Sequence, residues 1–258
     1  MIGAIIGDIA GSAYEFDENK EPGVPLFSDE AGFTDDTIMT IATARALLGA
    51  KDYRREYVAL GEEYPAPKGG YGMRFGTWLR AGGPGPYDSW GNGSAMRVGP
   101  IGWAFLSLEE TLAEAKRSAM VTHSHPEGVK GAQATATAIW LARHGKTKDE
   151  IRAVIGRDFG YDLSRTVEAI RRNYTFDESA QGTVPEAITA FLDSTDFESA
   201  IRHAISLGGD ADTVGCITGA IAEAHYREIP AAWRAAALER LPAEFADTIQ
   251  AFNLKYLR

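Results

Sequence analysis

The chain has a single cysteine in 258 residues, Cys216, and this scarcity excludes a framework of intramolecular disulfides. A protein without disulfides suits a reducing compartment, so we expect a cytoplasmic location. Cys216 lies among apolar residues at helical spacing, which favours a buried structural thiol over a nucleophile.

Long apolar runs are missing as well. No segment has the roughly 20 consecutive apolar residues that a membrane-spanning helix needs. The apolar stretch at the start is interrupted by Asp8 and has no basic region before it, so it does not resemble a secretory signal. We therefore expect no membrane partner and no leader.

Positive charge is in deficit, with 26 Lys and Arg against 36 Asp and Glu and a formal net charge of -10. Non-specific binding to nucleic acid depends on Lys and Arg that displace counterions from phosphates, so we expect no direct nucleic-acid binding. The hydrophobic content of 45% and the charged content of 24% are typical of a globular protein.

Alternating β-branched patterns are absent too, and apolar residues instead recur at helical spacing. From position 64 to 90 this periodicity is weak, and many Gly and Pro residues predict a long loop. We find no repeat, linker or domain boundary, so we predict an all-α fold in a single domain, 1–258. Helix starts are predicted where Ser or Thr stands three positions before Glu, at Ser107, Thr147, Thr183 and Thr195.

The first 16 residues combine an apolar pattern with glycines at positions 3, 7 and 11. A glycine-rich helix has an entropic cost and is credible only where a neighbour packs closely, so we expect a central, buried helix. Glu15 follows at its C-terminal end, where the helix dipole disfavours an anion. This makes Glu15 a candidate for contact with a metal or its water, and a solvated loop glutamate is the alternative.

Two acidic clusters lie far apart in the chain, and each precedes a helical pattern. The first is Thr34-Asp35-Asp36, and the second is Asp210-Ala-Asp212-Thr213 after a Gly-Gly pair that permits positive φ. Helix capping and the helix dipole would explain either cluster alone. Adjacent Asp side chains repel each other, however, and need a compensating charge if they face a partly buried site.

A pair of divalent cations would supply that charge. Mg²⁺ and Mn²⁺ prefer hard oxygen ligands, and two such ions can share a carboxylate. Zinc would be expected to recruit His or Cys, which neither cluster contains. We therefore predict two Mg²⁺ (or Mn²⁺) if the clusters meet, with capping alone as the alternative. The candidate ligands are Thr34, Asp35, Asp36, Asp210, Asp212 and Thr213.

Two further motifs are polar but less specific. The glycine-rich segment 82–94 would expose backbone amides that suit phosphate or ribose. His123 and His125 flank a serine ahead of a helix, but a zinc site there lacks a third ligand. A hydrogen bond from one histidine to a phosphate or a carbonyl, or a purely structural role, are the other interpretations.

The order and spacing of these motifs resemble the ADP-ribosylglycohydrolase family. The resemblance runs from residue 1 to about residue 225 and implies an all-α, orthogonally packed helical bundle with two Mg²⁺ or Mn²⁺ ions in a central cleft. It also implies that the six residues named above are the ligands. The motifs are Gly7-Asp8, Gly11-Ser12, Glu15, Thr34-Asp35-Asp36, Gly70-Tyr71-Gly72, Gly91-Asn92-Gly93-Ser94-Ala95-Met96-Arg97, Thr122-His123 and Gly209-Asp210-Ala211-Asp212-Thr213.

The same resemblance implies roles for other residues. Glu15 falls where the family has an acid that contacts a metal or its water, and Asp88 resembles a catalytically implicated Asp in one branch, although its spacing to the next glycine differs. Gly93 and Ser94 belong to the glycine segment that would hold diphosphate. Contacts to ribose, diphosphate and adenine are implied for Gly72, Ser89, Trp90, Gly91, Asn92 and His123.

The activity that follows is hydrolysis of the glycosidic bond between ADP-ribose and a protein side chain, with arginine as the favoured acceptor and free ADP-ribose as product. Glu15 or Asp36 would accept the proton of a metal-activated water. The expected partner is an ADP-ribosylated protein or a small ADP-ribose conjugate. A two-metal phosphohydrolase of nucleotide diphosphates and a catalytically silent ADP-ribose-binding protein are the alternatives.

Overall fold

The computed structural model describes residues 1–257, and α-helices make up its regular secondary structure. Over this range strand-like pairing is confined to two isolated bridges, so the all-α prediction is confirmed. None of the helices described is long and apolar enough to cross a bilayer. In chain order the helices are α1 (Ile2–Gly11), α2 (Asp35–Leu48), α3 (Tyr53–Glu63), α4 (Met73–Arg80), α5 (Gly93–Met96), α6 (Gly99–Ala104), α7 (Leu108–Ala119), α8 (Pro126–Arg143), α9 (Lys148–Phe159), α10 (Val167–Arg171), α11 (Ala180–Asp193), α12 (Phe197–Ile205), α13 (Ala211–Tyr226), α14 (Ala231–Leu238) and α15 (Ala243–Tyr256).

Helices α1 and α13 form an antiparallel pair at the centre of the molecule. Every residue of α1 is buried, and so is α13 from its first residue to Ala224. The two backbones touch at glycines: a Cβ added to Gly7 would lie 1.9 Å from the Gly215 carbonyl oxygen, and one added to Gly219 would lie 2.1 Å from that of Gly3. This confirms the predicted close packing of a glycine-rich helix. It also places the end of α1 beside the start of α13.

Asp8 fixes the start of α2 against α1. Its buried carboxylate accepts hydrogen bonds from the Thr34 amide (3.1 Å), the Thr34 hydroxyl (2.8 Å) and the Thr37 amide (3.1 Å), and from the Thr37 hydroxyl. The first turn of α2 carries Asp35 and Asp36. These contacts therefore bring the first acidic cluster to the place where α1 ends and α13 begins.

Two of the four predicted helix starts are confirmed. Ser107 and Thr147 cap α7 and α9, and each side chain accepts a backbone amide bond of 3.2 Å from the glutamate three positions later. Thr195 is wrong by one position, because Asp196 is the cap of α12 and forms a reciprocal pair with Ser199. Asp and Thr side chains are both good acceptors for a backbone amide at the start of a helix. The sequence pattern therefore did not decide between Thr195 and Asp196 as the cap.

The predicted start at Thr183 is wrong. The cap of helix α11 is Ser179, four residues before Thr183, and its side chain accepts a 3.0 Å bond from the Gly182 amide. Thr183 therefore lies inside the helix, where its hydroxyl donates to the Asp177 carbonyl at 2.8 Å. Gly182 stands three positions after Ser179, where the capping pattern has Glu or Gln, so the pattern did not identify Ser179 as the cap.

The weakly periodic region 64–90 is not a loop throughout. Its middle forms the helix α4, which buries Phe75, Trp78 and Leu79. Eight residues give too few turns for a convincing helical period. The glycines on both sides of α4 include four with positive φ, so the flanking chain is irregular, as predicted.

Candidate active site

A cleft of about 550 Å³ opens where α1 ends and where α2 and α13 begin. Its walls come from the two acidic clusters, from segment 69–75 and from turn 89–93. Of the six predicted ligands, five line the cleft, and Thr34 is fully buried behind it. Glu15 lines the cleft as well.

The two acidic clusters lie together. Carboxylate oxygens of Glu15, Asp210 and Asp212 are all within 4.8 Å of one another. The Thr213 hydroxyl donates to Asp36 Oδ1 at 3.3 Å and so joins clusters that are 177 residues apart in sequence. The arrangement gathers the predicted ligands in space, while their role as ligands stays a prediction.

Helix capping does not account for these acids. Asp210 stands at the N-cap of α13 without a side-chain cap bond, and its Oδ2 instead accepts a 2.6 Å bond from Asn92 Nδ2. Thr34 does cap α2, accepting from the Asp36 amide at 3.2 Å. The Asp36 side chain itself is 2% exposed, and its Oδ2 is buried without a hydrogen-bond partner. Such an atom is costly unless a ligand satisfies it.

The acids are crowded enough to change their ionisation. Burial, followed by the charge of Asp212, raises the pKa of Asp8 to about 7 and that of Glu15 to about 8; Lys68 opposes the second shift. Two ionised groups 4.8 Å apart repel by about 3.5 kcal/mol at an effective dielectric constant of ~20. Burial is also the main cause of a raised pKa in the remaining acids of the cluster, Asp35, Asp36, Asp210 and Asp212.

These observations fit a site for a hard divalent cation. The ion pairs formed by the described chain involve other acids, so the cluster has no lysine or arginine bound to it. Its donors are carboxylate and hydroxyl oxygens, which Mg²⁺ and Mn²⁺ prefer. Within residues 1–257 no other group of three or more His, Cys, Asp or Glu side chains converges in this way, so the zinc interpretation of His123 and His125 has no support.

Most residues predicted to bind the nucleotide line the cleft; they are Gly72, Ser89, Trp90, Gly91, Asn92, Gly93 and His123. Ser94 and Asp88 do not. The buried Ser94 hydroxyl donates to the Gly128 carbonyl at 2.6 Å and ties α5 to α8. Asp88 is exposed and accepts a 3.3 Å bond from the Ser124 hydroxyl.

His123 is held in place by its neighbour Thr122. His123 Nδ1 and the Thr122 hydroxyl share a hydrogen bond of 2.7 Å, and Arg97 Nη2 donates to the same Thr122 oxygen at 2.8 Å. The other ring nitrogen, Nε2, faces the glycine turn. Burial, together with the charges of Arg97 and Arg74, lowers the pKa of His123 well below its ordinary value.

Comparison with known proteins identifies the family. The ADP-ribosylglycohydrolase family model matches residues 1–257. The chain belongs to this family. It is therefore a hydrolase.

Individual members of this glycohydrolase family resemble the chain over most of its length. Human ADP-ribosylhydrolase ARH3 is 27% identical over 317 residues, which cover 91% of this chain and 86% of the relative. ADP-ribosylarginine hydrolase Tri1 of Pseudomonas putida is 28% identical, with 88% and 69% covered. A solved structure described as an ADP-ribosylglycohydrolase-related protein complex has a TM-score of 0.74, 28% identity and coverage of 98% and 94%.

Large apolar side chains surround the mouth of the glycohydrolase cleft. Phe16, Met73, Trp90 and Phe176 line it and are 74%, 86%, 41% and 45% exposed. The rings of Phe16 and Phe176 are stacked, with centroids 6.0 Å apart and planes 26° apart. Clustered apolar exposure of this kind marks a binding surface.

Sequence reasoning missed three residues that shape this glycohydrolase site. Asp8 was named in a motif and as an interruption of an apolar run but was given no role, yet it anchors α2; the signal was an acid inside an otherwise apolar helix. Arg97 lies at the end of a quoted motif but was given no role, although it is fully buried and orients Thr122. Arg74 lines the cleft from α4, a helix the sequence pattern did not reveal.

Proposed function

We propose that this chain hydrolyses the bond between ADP-ribose and an arginine side chain of a modified protein, and that two Mg²⁺ or Mn²⁺ ions take part. The observation that carries the proposal is the unpartnered Asp36 Oδ2 inside a cluster of buried carboxylates, beside a cleft of about 550 Å³. The names of relatives support the ADP-ribose part of the substrate.

The cations would be held by Thr34, Asp35, Asp36, Asp210, Asp212 and Thr213, with Glu15 beside them. Bound there, they would offset the repulsion among the carboxylates and lower the pKa of a water molecule. Asn92 keeps Asp210 oriented through its 2.6 Å bond. Asp8 holds the start of α2 in place through its bonds to Thr34 and Thr37.

Glu15 is the better candidate for general base. It lines the cleft and forms no hydrogen bond with the described chain, whereas Asp36 is almost fully buried and accepts from Thr213. Glu15 takes a proton from water as the water oxygen bonds to the anomeric carbon. The glycosidic C–N bond breaks with its electron pair on nitrogen, and Glu15 returns the proton there.

The remainder of ADP-ribose fits the other wall of the cleft. The Gly93 amide, for which the described residues provide no acceptor, and the nearby His123 Nε2 offer polar contacts suited to diphosphate. The turn is held by two backbone bonds, from the Asn92 amide to the Glu178 carbonyl (2.8 Å) and from the Ala180 amide to the Trp90 carbonyl (3.0 Å). Trp90 offers an exposed ring on which adenine can stack.

The mouth of the cleft favours arginine over serine as acceptor. A guanidinium stacks on aromatic faces and pairs with carboxylates, and the mouth provides the Phe16 and Phe176 rings with Glu15 and Glu178 nearby. A serine hydroxyl would gain neither interaction. The net charge of -10 also favours a cationic acceptor.

The test uses Asp36→Ala and Asp212→Ala, with Asp17→Ala, an exposed acid outside the cleft, as control. On an ADP-ribosyl-arginine peptide with Mg²⁺ or Mn²⁺, we expect each cluster variant to lose at least about 10³-fold in rate and the control to keep wild-type activity. Wild-type rates in both cluster variants would refute the mechanism. Chromatography of products separates the chemistries, because free ADP-ribose supports glycohydrolysis and AMP supports the phosphohydrolase alternative. A matched serine-linked peptide tests the acceptor.

A further inference from the structure

A second cavity, of about 470 Å³, lies at the other end of the central helix pair. Its walls include Trp103, Arg143, Arg227, Arg234 and Tyr256. Arg227 follows the last turn of α13, whereas the acidic cluster stands at the first turn. At 1.5 Å per residue, the helix separates the two sites by roughly 20 Å.

Three guanidinium groups line this cavity, and no carboxylate of residues 1–257 is bound to any of them. Within residues 1–257, Arg143, Arg227 and Arg234 form no ion pair, although most other arginines of this acidic chain do. The one acid in the lining, Glu223, already accepts from the Met1 ammonium at 2.5 Å and from the Gly3 amide at 2.8 Å.

Hydrogen bonds to neutral atoms hold two of the cations close together. Arg143 Nη1 donates to the Trp103 carbonyl oxygen, and Arg227 Nη2 donates to the Arg143 carbonyl oxygen at 2.9 Å. The Arg143 guanidinium also lies 5.8 Å from the centre of the Trp103 ring. Burial and the charge of Arg227 lower the pKa of Arg143, so the pair carries a repulsion that an anion would relieve.

We propose that this cavity binds a small organic anion that bears phosphate groups, such as a nucleoside diphosphate, independently of the acidic cleft. Guanidinium forks match phosphate oxygens, and three cations suit a ligand with two or more negative charges. A volume near 470 Å³ falls within the roughly 300–1,000 Å³ of small-molecule sites and far exceeds what a bare phosphate fills. Trp103 and Tyr256 supply the apolar wall for the organic part.

The test is the stoichiometry of ADP binding to the full chain, measured by isothermal titration calorimetry. We expect two equivalents bound to the wild type and one to Arg227→Gln/Arg234→Gln. A cleft variant, Trp90→Ala/His123→Ala, should retain the equivalent that the arginine variant loses. Arg54→Gln/Arg80→Gln, which removes the same charge from exposed arginines elsewhere, should bind both.

Several results would overturn the inference. They are an arginine variant that binds as many equivalents as the wild type, and an equal loss in the Arg54/Arg80 control. Pyrophosphate binding as tightly as ADP at this site would remove the organic part of the proposal. If the double variant does not fold, Arg234→Gln alone serves, since the Arg234 side chain is exposed and forms no hydrogen bond with the described residues. This variant should weaken the site at least threefold. Hydrolysis by the arginine variant is expected at the wild-type rate, so failure here is distinct from failure of the proposed activity.

Discussion

Replacing Glu15 by Gln should stabilise the metal-free protein while it impairs catalysis. The two side chains have the same shape, and Glu15 forms no hydrogen bond that the amide would lose within the described chain. The substitution removes the negative charge of Glu15. Burial and the carboxylates of Asp212 and Asp8 all disfavour that charge. The variant therefore measures the electrostatic cost of assembling the acidic cluster.

The size of the effect follows from the pKa of Glu15, which rises from 4.5 to about 8 on folding. At pH 7 the unfolded chain holds this group ionised and the folded protein holds it mostly protonated. Each pH unit between 4.5 and 7 is worth about 1.4 kcal/mol, which gives roughly 3 kcal/mol. The side chain is partly exposed, so solvent screening reduces the expected gain to roughly 1.5 kcal/mol.

The gain should depend on pH in a definite direction. Below pH 4.5 the carboxyl is protonated in both states, so Glu and Gln should give the same free energy of unfolding. As the pH rises, the unfolded chain releases this proton first and the native protein becomes relatively less stable. The advantage of Gln should grow up to about pH 8 and then level off.

Divalent cations should cancel or reverse this advantage. A cation bound beside Glu15 would favour the carboxylate over the amide, so Mn²⁺ should stabilise the wild type more than the variant. Hydrolysis should fall at least about 10²-fold, because an amide cannot accept the proton.

The assay is urea unfolding of both proteins at pH 4.5, 7 and 8.5, in EDTA and in 1 mM Mn²⁺. Glu178→Gln is the matched control, since Glu178 lines the same cleft but lies outside the acidic group of Glu15, Asp210 and Asp212. It should change the free energy of unfolding by less than about 0.5 kcal/mol. If Glu15→Gln destabilises the EDTA-treated protein at pH 7, the description of the cluster as mutually repelling acids is refuted.

Three further changes test other parts of the structure. Thr122→Val removes the hydroxyl that orients His123 and should raise KM for the ADP-ribosyl substrate about tenfold in steady-state assays. A tenfold change corresponds to the loss of one hydrogen bond of about 1.4 kcal/mol. An unchanged KM would contradict this role. Gly215→Ala would place a Cβ 2.5 Å from a carbonyl oxygen of α1 and should lower the free energy of unfolding by about 3 kcal/mol or more in urea. Gly23→Ala, in open space, should lower it by less than about 0.5 kcal/mol. Equal stability of the two variants would refute the close packing. Phe176→Ala should raise KM about tenfold for an arginine-linked substrate and less than twofold for a serine-linked one, and equal effects would argue against guanidinium stacking.

The helical character could be predicted because its signal is local, whereas a shared site for the two acidic clusters was implied by the family resemblance. Helical spacing predicts helices without knowledge of their neighbours, and paired Asp residues at helix starts require a compensating charge wherever they lie. The glycines at 3, 7 and 11 even predicted a close neighbour, although not which helix it would be. The structure shows that this neighbour is α13, whose Gly215 and Gly219 contact the backbone of α1.

Other features could not be predicted because they depend on distant contacts. Asp8 acts through Thr34 and Thr37, more than 25 residues away; its place in an apolar helix marks it as unusual but does not identify these partners. Ser94 belongs to a motif whose neighbours line the cleft, yet its side chain bonds to the Gly128 carbonyl. Spacing along a turn does not determine the direction of each side chain. The missed helix α4 was simply too short to show a period.

Charge of opposite sign collects at the two ends of the central helix pair. A single helix would favour acids at the start of α13 and cations at its end through its dipole. Helix α1 runs antiparallel to α13 at backbone contact, so its dipole opposes that of α13 at both ends, and the start of α2 adds a third helix terminus at the acidic end. Burial disfavours the charged form of the acids at one end and of Arg143 at the other. Both ends consequently gain most from a ligand of opposite charge, a cation at the acidic cleft and an anion at the arginine cavity.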